Sequence, residues 1–332
     1  MAYRLSLLDK SPVADGESPS QALAGTLELA RRAEQWGFHR FWLAEHHNTP
    51  ALASPAPEVL IAWILAHTHQ LRVGSGGVML QHYSPYKVAE TFNLLASLAP
   101  GRVDLGVGKA PGGLPLSTRA LQQGLHQSEK GDFAAQLAQL DHWLRPDDAA
   151  PQQDRLQATP LPSHPAQRFL LGASESSARL AASLGWQFVF ATHLNGDIDE
   201  QTRALNAWHQ ESGGQRAILA VQVITTASAA EAERLASDRQ YYRVHTPGGQ
   251  SVTVASLEQA ETWIRQSGEE NCRIEPRSVS LIKGTAEQVH GQLDALQRRF
   301  NIGEFIIDTP VSDGNSRLTS LELLATHQLV SA

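Results

Sequence analysis

LRVGSGGVML (residues 71–80), followed by YKVAETFNLLASL (residues 86–98), is the stretch on which the fold turns. The first segment is short, apolar and broken only by glycine and serine, the pattern of a strand buried on both faces. The second places Val88, Phe92 and Leu95 at helical spacing. The same unit recurs in both directions along the chain. Strands are predicted at Tyr3–Leu8, Phe38–Leu43, Leu71–Leu80, Arg102–Val107, Arg168–Leu171, Gln187–Ala191, Ala217–Thr225 and Glu304–Ile307. Helices are predicted between them at Ser20–Trp36, Glu58–His69, Tyr86–Leu98 and Ser174–Leu184, with Gly37 and Gly185 as left-handed stops. Two later helices open with capping boxes, Ser228 with Glu231 and Thr285 with Gln288, and a last one spans Ser316–Gln328. Alternation of this kind implies parallel strands joined by right-handed crossovers, and eight such strands close a (β/α)8 TIM barrel.

The 332 residues fit one such domain, 1–332. Three stretches break the rhythm: 110–127, rich in Gly, Pro and Ser; 146–167, with five prolines; and 243–276, polar, with a short helix at Leu257–Gln266. Loops after strands lie on the face where barrels carry their chemistry, and the insertions after strand four, at about 110–167, and after the strand-seven helix, at about 243–276, are candidates for a lid.

Composition narrows the function. Hydrophobic residues make up 42% and charged residues 18%, which suits a packed globular chain rather than a disordered one. The net charge of −7 and the lack of a basic block argue against nucleic acid. One cysteine, Cys272, forms neither an internal disulfide nor a thiolate cluster. The longest apolar run, Val59–Ala66, is far short of the ~20 residues of a membrane span, and the N-terminus lacks a signal-peptide pattern. The expectation is a soluble cytoplasmic protein.

Four segments could carry chemistry. Ala44-Glu45-His46-His47-Asn48 follows the second strand, at the barrel mouth. Adjacent histidines on extended backbone point in different directions, so one can face a site while the other packs in the wall. Imidazole titrates near neutrality and can act as base or donor, but a pair of structural loop histidines is an equal reading. Val73-Gly74-Ser75-Gly76-Gly77-Val78 bares the third strand's backbone, either to a flat ligand or to the barrel's own curvature. Gly106-Val107-Gly108-Lys109-Ala110-Pro111 fails as a Walker loop, since Val103 and Ala110 stand where Gly and Ser/Thr are needed. It fails as a Rossmann turn because Pro111 replaces the third Gly. What is left is a lysine at a strand end, able to hold a phosphate as a point charge or simply to sit on the surface. Gly172-Ala173-Ser174-Glu175-Ser176-Ser177 opens a helix, a ready anion site and equally an ordinary N-cap. His67 and His69 sit near a helix C-terminus rather than on the first strand of a metal-dependent barrel, and no HExxH or GxSxG pattern occurs.

Taken in order, AEHHN, VGSGGVML, GRVDLGVGKAPG and LGASESSARLAASLG resemble the luciferase-like flavin monooxygenases. The likeness runs from SLLDKSPV to GEFIIDTP, and the opening is similar to a subgroup of small, uncharacterised bacterial members. The resemblance implies FMN at the C-terminal mouth of the barrel. It places Gly76–Gly77 at a non-proline cis peptide beneath the flavin ring, and Lys109 where many relatives use Arg at the FMN phosphate. It places Ala173, Ser174 and Ser177 in the phosphate loop, and His46, with His47 beside it, next to flavin and substrate. Lys for Arg loses the bidentate fork. Gly108 stands where light-emitting relatives have a reactive cysteine, so light emission is not expected. The implied chemistry is a C4a flavin peroxide formed from O2 and reduced FMN, which a separate reductase supplies, acting on a small organic substrate. Use of a deazaflavin, or a flavin carrier without catalysis, are the alternatives; a metal-dependent hydrolase is more distant. The apolar helices after strands two and three point to a homodimer.

Overall fold

The computed structural model describes residues 3–125, 130–145, 156–192, 196–236, 240–249, 251–277 and 280–330, with the side chains of 327–330 left aside. In chain order it contains β1 (Arg4–Asp9), α1 (Pro19–Gln35), β2 (Arg40–Leu43), α2 (Pro57–Leu65), β3 (Arg72–Ser75), β4 (Val78–Met79), α3 (Pro85–Leu98) and β5 (Val103–Gly108). Next come α4 (Pro115–Leu121), α5 (Phe133–Trp143), β6 (Gln167–Gly172), α6 (Glu175–Leu184), β7 (Gln187–Ala191), α7 (Ile198–Glu211), β8 (Ala217–Thr225) and α8 (Ala229–Ala236). The chain finishes with β9 (Tyr241–His245), β10 (Ser251–Val254), α9 (Leu257–Ser267), β11 (Arg273–Arg277), β12 (Leu281–Gly284), α10 (Ala286–Phe300), β13 (Ile302–Asp308) and α11 (Gly314–Val330).

The fold is a closed parallel barrel, as the alternation predicts. β13 pairs with β1, starting Arg4↔Glu304, and with β8; β7 also pairs with β8, which completes the circuit of eight. All eight predicted strands are present, with one refinement. The run 71–80 is two short pieces, β3 and β4, separated at Gly76–Gly77. β12 runs alongside the C-terminal end of β8, outside the circuit.

Strand polarity explains the apolar runs. Phe41 and Leu43 face the helices, while Trp42 points inward to meet Phe169 edge-on at 4.8 Å. Both faces of each strand are therefore buried. Deep in the barrel, Asp104 accepts from Arg40, Arg72 and Trp42, and Arg40 also reaches Glu304 at 2.9 Å. Removing one member of such a buried set costs about 3–5 kcal/mol.

Helix ends follow their caps. Thr285 and Gln288 form the expected capping box. For Ser228 the described half is Glu231 N–H to Ser228 Oγ at 3.3 Å. α2 ends at Leu65 rather than His69, because Arg102 comes up from the β5 side and bonds the Thr68 carbonyl at 2.9 Å and the Thr68 hydroxyl at 2.6 Å.

The two insertions depart from the loop reading. The second is a three-stranded antiparallel sheet in the order β10-β9-β11. Val244, Val254, Tyr242 and Ile274 on one face pack against α9. The first contributes α4 and α5; its residues 126–129 and 146–155 lie outside the described set. α4 and α9 meet: Gln266 Oε1 accepts from Leu116 N at 3.1 Å, and the Gln266 carbonyl accepts from Arg119 Nη1 at 2.9 Å. No helix among the described residues is long and apolar enough to cross a membrane.

Candidate active site

Glycine at the third strand is required by the barrel itself. A Cβ on Gly74 would sit 2.4 Å from the Asp104 carbonyl oxygen, and one on Gly106 would sit 2.2 Å from that of Ser75. Gly76 faces Leu8 and Trp42 in the interior, where its Cβ would come within 2.7 Å of Leu8. The curvature reading therefore explains these glycines without a ligand. The Gly76–Gly77 peptide bond is cis, as the resemblance implies. Gly108 differs: a Cβ there meets only Met79, at the ordinary contact distance of 3.5 Å, so packing does not demand glycine at the end of β5.

The end of β2 is the most organised part of the mouth. Glu45 is buried and accepts three contacts: Met79 N–H at 3.0 Å, Tyr83 O–H at 2.7 Å and His47 Nε2 at 2.7 Å. Burial, reinforced by Glu45, pushes the Tyr83 phenol well above its ordinary range, so it donates and stays neutral. His47 is thus the wall histidine. Its backbone N–H bonds the Gly112 carbonyl at 2.7 Å, which pins the start of the first insertion to the β2 loop. His46 is half-buried, with its backbone N–H on the Ser54 carbonyl at 2.9 Å. His82 stacks edge-on with His47 at 5.9 Å and bonds the Pro111 carbonyl at 2.8 Å. Burial lowers the His82 pKa. Burial raises that of Glu58, with the Glu45 charge adding to it. The arrangement joins an imidazole and a neutral phenol by hydrogen bonds to one buried carboxylate.

Lys109 is exposed one residue past β5, and its carbonyl accepts from Gln81 Nε2 at 2.9 Å. The register Gly108↔Leu171 sets it beside Gly172 and Ala173 on the neighbouring strand end. Ser174 caps α6: its Oγ accepts from Ser177 N at 3.3 Å and lies 3.0 Å from both Ser176 Oγ and Ser177 Oγ. Gly172 makes room for Ser177, whose Cβ would stand 2.5 Å from any Cβ on residue 172. Glu200 already takes the Glu175 amide at 3.1 Å. What the cluster offers an anion is therefore hydroxyls, the Lys109 charge and the helix dipole.

Across the mouth, Asp308 accepts from Lys10 at 2.6 Å and from Gln222 Nε2 at 3.1 Å, and Gln222 reaches Tyr241, the first residue of β9, at 3.1 Å. Arg317 pairs with Asp9 nearby. Glu45, Tyr83, His82 and this polar set were not singled out by sequence reasoning. A carboxylate directly after an apolar strand, at a barrel mouth, is the one signal that could have found Glu45.

The C-terminal mouth of the barrel thus gathers an unobstructed glycine, a cationic strand end and a buried acid–imidazole–phenol network. Residues 3–300 match the luciferase-like monooxygenase family model, and the chain belongs to that family. It is 42% identical over 329 residues to the N-acetyl-S-alkylcysteine monooxygenase of Bacillus subtilis (strain 168), covering 97% of each chain. It is 35% identical over 323 residues to a luciferase-like monooxygenase of Escherichia coli K12, covering 96% of this chain and 95% of that one. Among solved structures it is similar to apo-MsnO8, at 31% identity and a TM-score of 0.79 over 98% of both chains. The fold alone is shared with a 3,6-diketocamphane monooxygenase component in complex with FMN (17%, TM-score 0.69). It is also shared with an F420-dependent secondary alcohol dehydrogenase (15%, TM-score 0.66).

Proposed function

We propose that the protein is an FMN-dependent monooxygenase that uses reduced flavin and O2 on a small organic substrate, an N-acylated S-alkylcysteine being the first class to test. The observation that carries the reading is the buried Glu45–His47–Tyr83 network beside the Gly108–Lys109 strand end. The B. subtilis relative's name supports the substrate class.

The residues fit a flavin phosphate. Lys109, Ser174 and Ser177 supply charge and hydroxyls, with Ala173 in the same turn. Gly76, Gly77 and Gly108 would present backbone to the ring, and of the three only Gly108 has room for a side chain. Bound reduced flavin supplies the two electrons that let one oxygen atom enter the substrate while the other leaves as water. His46 is the group that faces the reacting atoms. Glu45 and Tyr83 fix the neighbouring His47 in the wall, and through its backbone the first insertion. The two insertions, joined at Gln266, limit the access of water to the mouth, and bound substrate completes the exclusion. The enzyme works in the cytosol as a homodimer and receives reduced FMN transiently from a separate reductase.

The test is anaerobic titration with reduced FMN and, in parallel, with reduced F420, followed by admission of air in the presence of N-acetyl-S-methylcysteine. Saturable FMN binding and a product carrying one added oxygen atom are expected. Binding of F420 alone sinks the cofactor assignment. FMN binding without oxygenation of any thioether sinks the substrate class.

A further inference from the structure

At the other end of the barrel, a well of about 650 Å³ opens among the first residues of β1, β2, β6, β7, β8 and β13. That volume is in the range of small-molecule sites. Its charge is lopsided. Arg4, Arg40, Arg168 and Arg216 line it, against a single carboxylate, Glu304.

The acids close by are already engaged. Glu304 Oε1 takes Arg40 Nε at 2.9 Å and Ser6 Oγ at 2.5 Å. Asp104, set deeper, takes Arg40 at 2.9 Å and Arg72 at 2.5 Å. Asp141 takes Arg168 and Arg145, both at 2.7 Å, and also Trp186 at 2.8 Å. Arg4 bonds the ring of His39 at 3.1 Å, and His39 is no counter-charge. Burial, together with Arg40 and Arg4, pushes its pKa down to about 4, so it is neutral near pH 7. Arg216 lies across the bare backbone of Gly303, where an added Cβ would meet the arginine's own Cβ at 3.0 Å, and it donates to the Ile302 carbonyl.

Like charges gathered in a concave, partly desolvated surface raise the local potential and draw in an anion. Guanidinium is the side chain whose planar fork matches oxyanion geometry. We propose that this well binds a doubly charged tetrahedral oxyanion, inorganic or a phosphate monoester, held by Arg4, Arg168 and Arg216. The site is separate from the mouth by the length of the strands, about 20 Å for six residues. Its occupant ties together the starts of β1, β6 and β8 around the circuit that β13 closes, so it stabilises the barrel by binding only the folded chain.

The experiment is calorimetric titration with sodium sulfate, sodium phosphate and glycerol 3-phosphate, with thermal denaturation alongside and sodium chloride at matched ionic strength as reference. Saturable one-to-one binding and a rise in Tm beyond that given by chloride are expected. A tighter ester marks an organic ligand, and a tighter inorganic ion marks a free one. Arg4→Gln combined with Arg216→Gln leaves the buried Arg40 set intact and should weaken binding at least tenfold while FMN affinity stays unchanged. Arg4→Gln alone, at an exposed position, serves if the double variant unfolds, with a severalfold loss expected. Equal Tm gains from chloride, unaltered binding in the variants, or loss of FMN affinity in them would each overturn the proposal.

Discussion

Glu45→Leu and Glu45→Gln separate the loss of an acceptor from the loss of a charge. Leucine strips the acceptor from Met79 N–H and Tyr83 O–H, now held at 3.0 and 2.7 Å in a site where Glu45 is only 1% exposed. Each buried donor left without a partner costs about 1–3 kcal/mol. The added apolar burial returns roughly 1 kcal/mol. His47 escapes part of the cost by moving its proton to Nδ1. The net loss is therefore about 2–5 kcal/mol, a large share of the 5–15 kcal/mol that typically holds a domain together. Glutamine keeps an oxygen for Met79 and offers an amide that can donate to Tyr83 and His47, at a cost of about 1 kcal/mol. Urea unfolding of both variants, with unchanged m-values, measures the difference. Two variants that agree within about 0.5 kcal/mol would show that the network contributes volume and not hydrogen bonding. The glutamine variant should also bring the Tyr83 pKa down toward ordinary phenol, read by ultraviolet titration, since it removes the Glu45 charge that adds to burial.

His46→Ala should cut turnover while leaving FMN affinity intact, whereas His47→Ala should mainly lower stability; the reverse would mean the two rings are misassigned. Lys109→Ala should weaken FMN binding at low salt by roughly 1.5–3 kcal/mol, the size of a charge-assisted hydrogen bond, as read by fluorescence titration. Val59, Trp63, Leu94 and Leu98 on α2 and α3 are 63, 36, 50 and 68% exposed, together about two full side chains per protomer. Covering them is worth about 3–6 kcal/mol per protomer. Light scattering should give twice 36.1 kDa, and Trp63→Asp with Leu98→Asp should bring it down to one chain. His39 has its pKa depressed to about 4 when folded, against roughly 6.5 unfolded. Its neutral form therefore causes no loss above pH ~6.5, and stability falls as pH drops from there toward 4. His39→Gln should flatten that part of the urea-midpoint profile; an unchanged slope refutes the assignment.

The barrel was legible because strands buried on both faces leave unbroken apolar runs, as Phe41-Trp42-Leu43 does. The sheet at β9–β11 was not, since each strand offers few apolar positions, such as Tyr242 with Val244, and the pattern takes shape only when they stack on α9. In the site, the segments at 44–48 and 106–113 were readable as strand ends. The link from Glu45 to Tyr83 spans 38 residues and needs the chain closed before it exists. The glycines at 74, 76 and 77 admitted both a ligand and the barrel's curvature, and packing against Asp104, Leu8 and Gly106 demands them with or without a ligand.

The hydrogen bonds described between α4 and α9 both end on Gln266, one on its side-chain oxygen from Leu116 N–H and one on its carbonyl from the Arg119 side chain, and both are exposed. Two exposed hydrogen bonds hold a closed state by about 1–3 kcal/mol in all. By Boltzmann weighting, the join comes undone between about one part in six and one in 150 of the time. Those two bonds by themselves therefore put only a small cost on parting α4 from α9. On the function proposed above, the dryness of the mouth then rests on how well each substrate fills the space behind the join, and so does the coupling of reductant to product. Among substrates of one chemical class, the bulkier should waste fewer electrons.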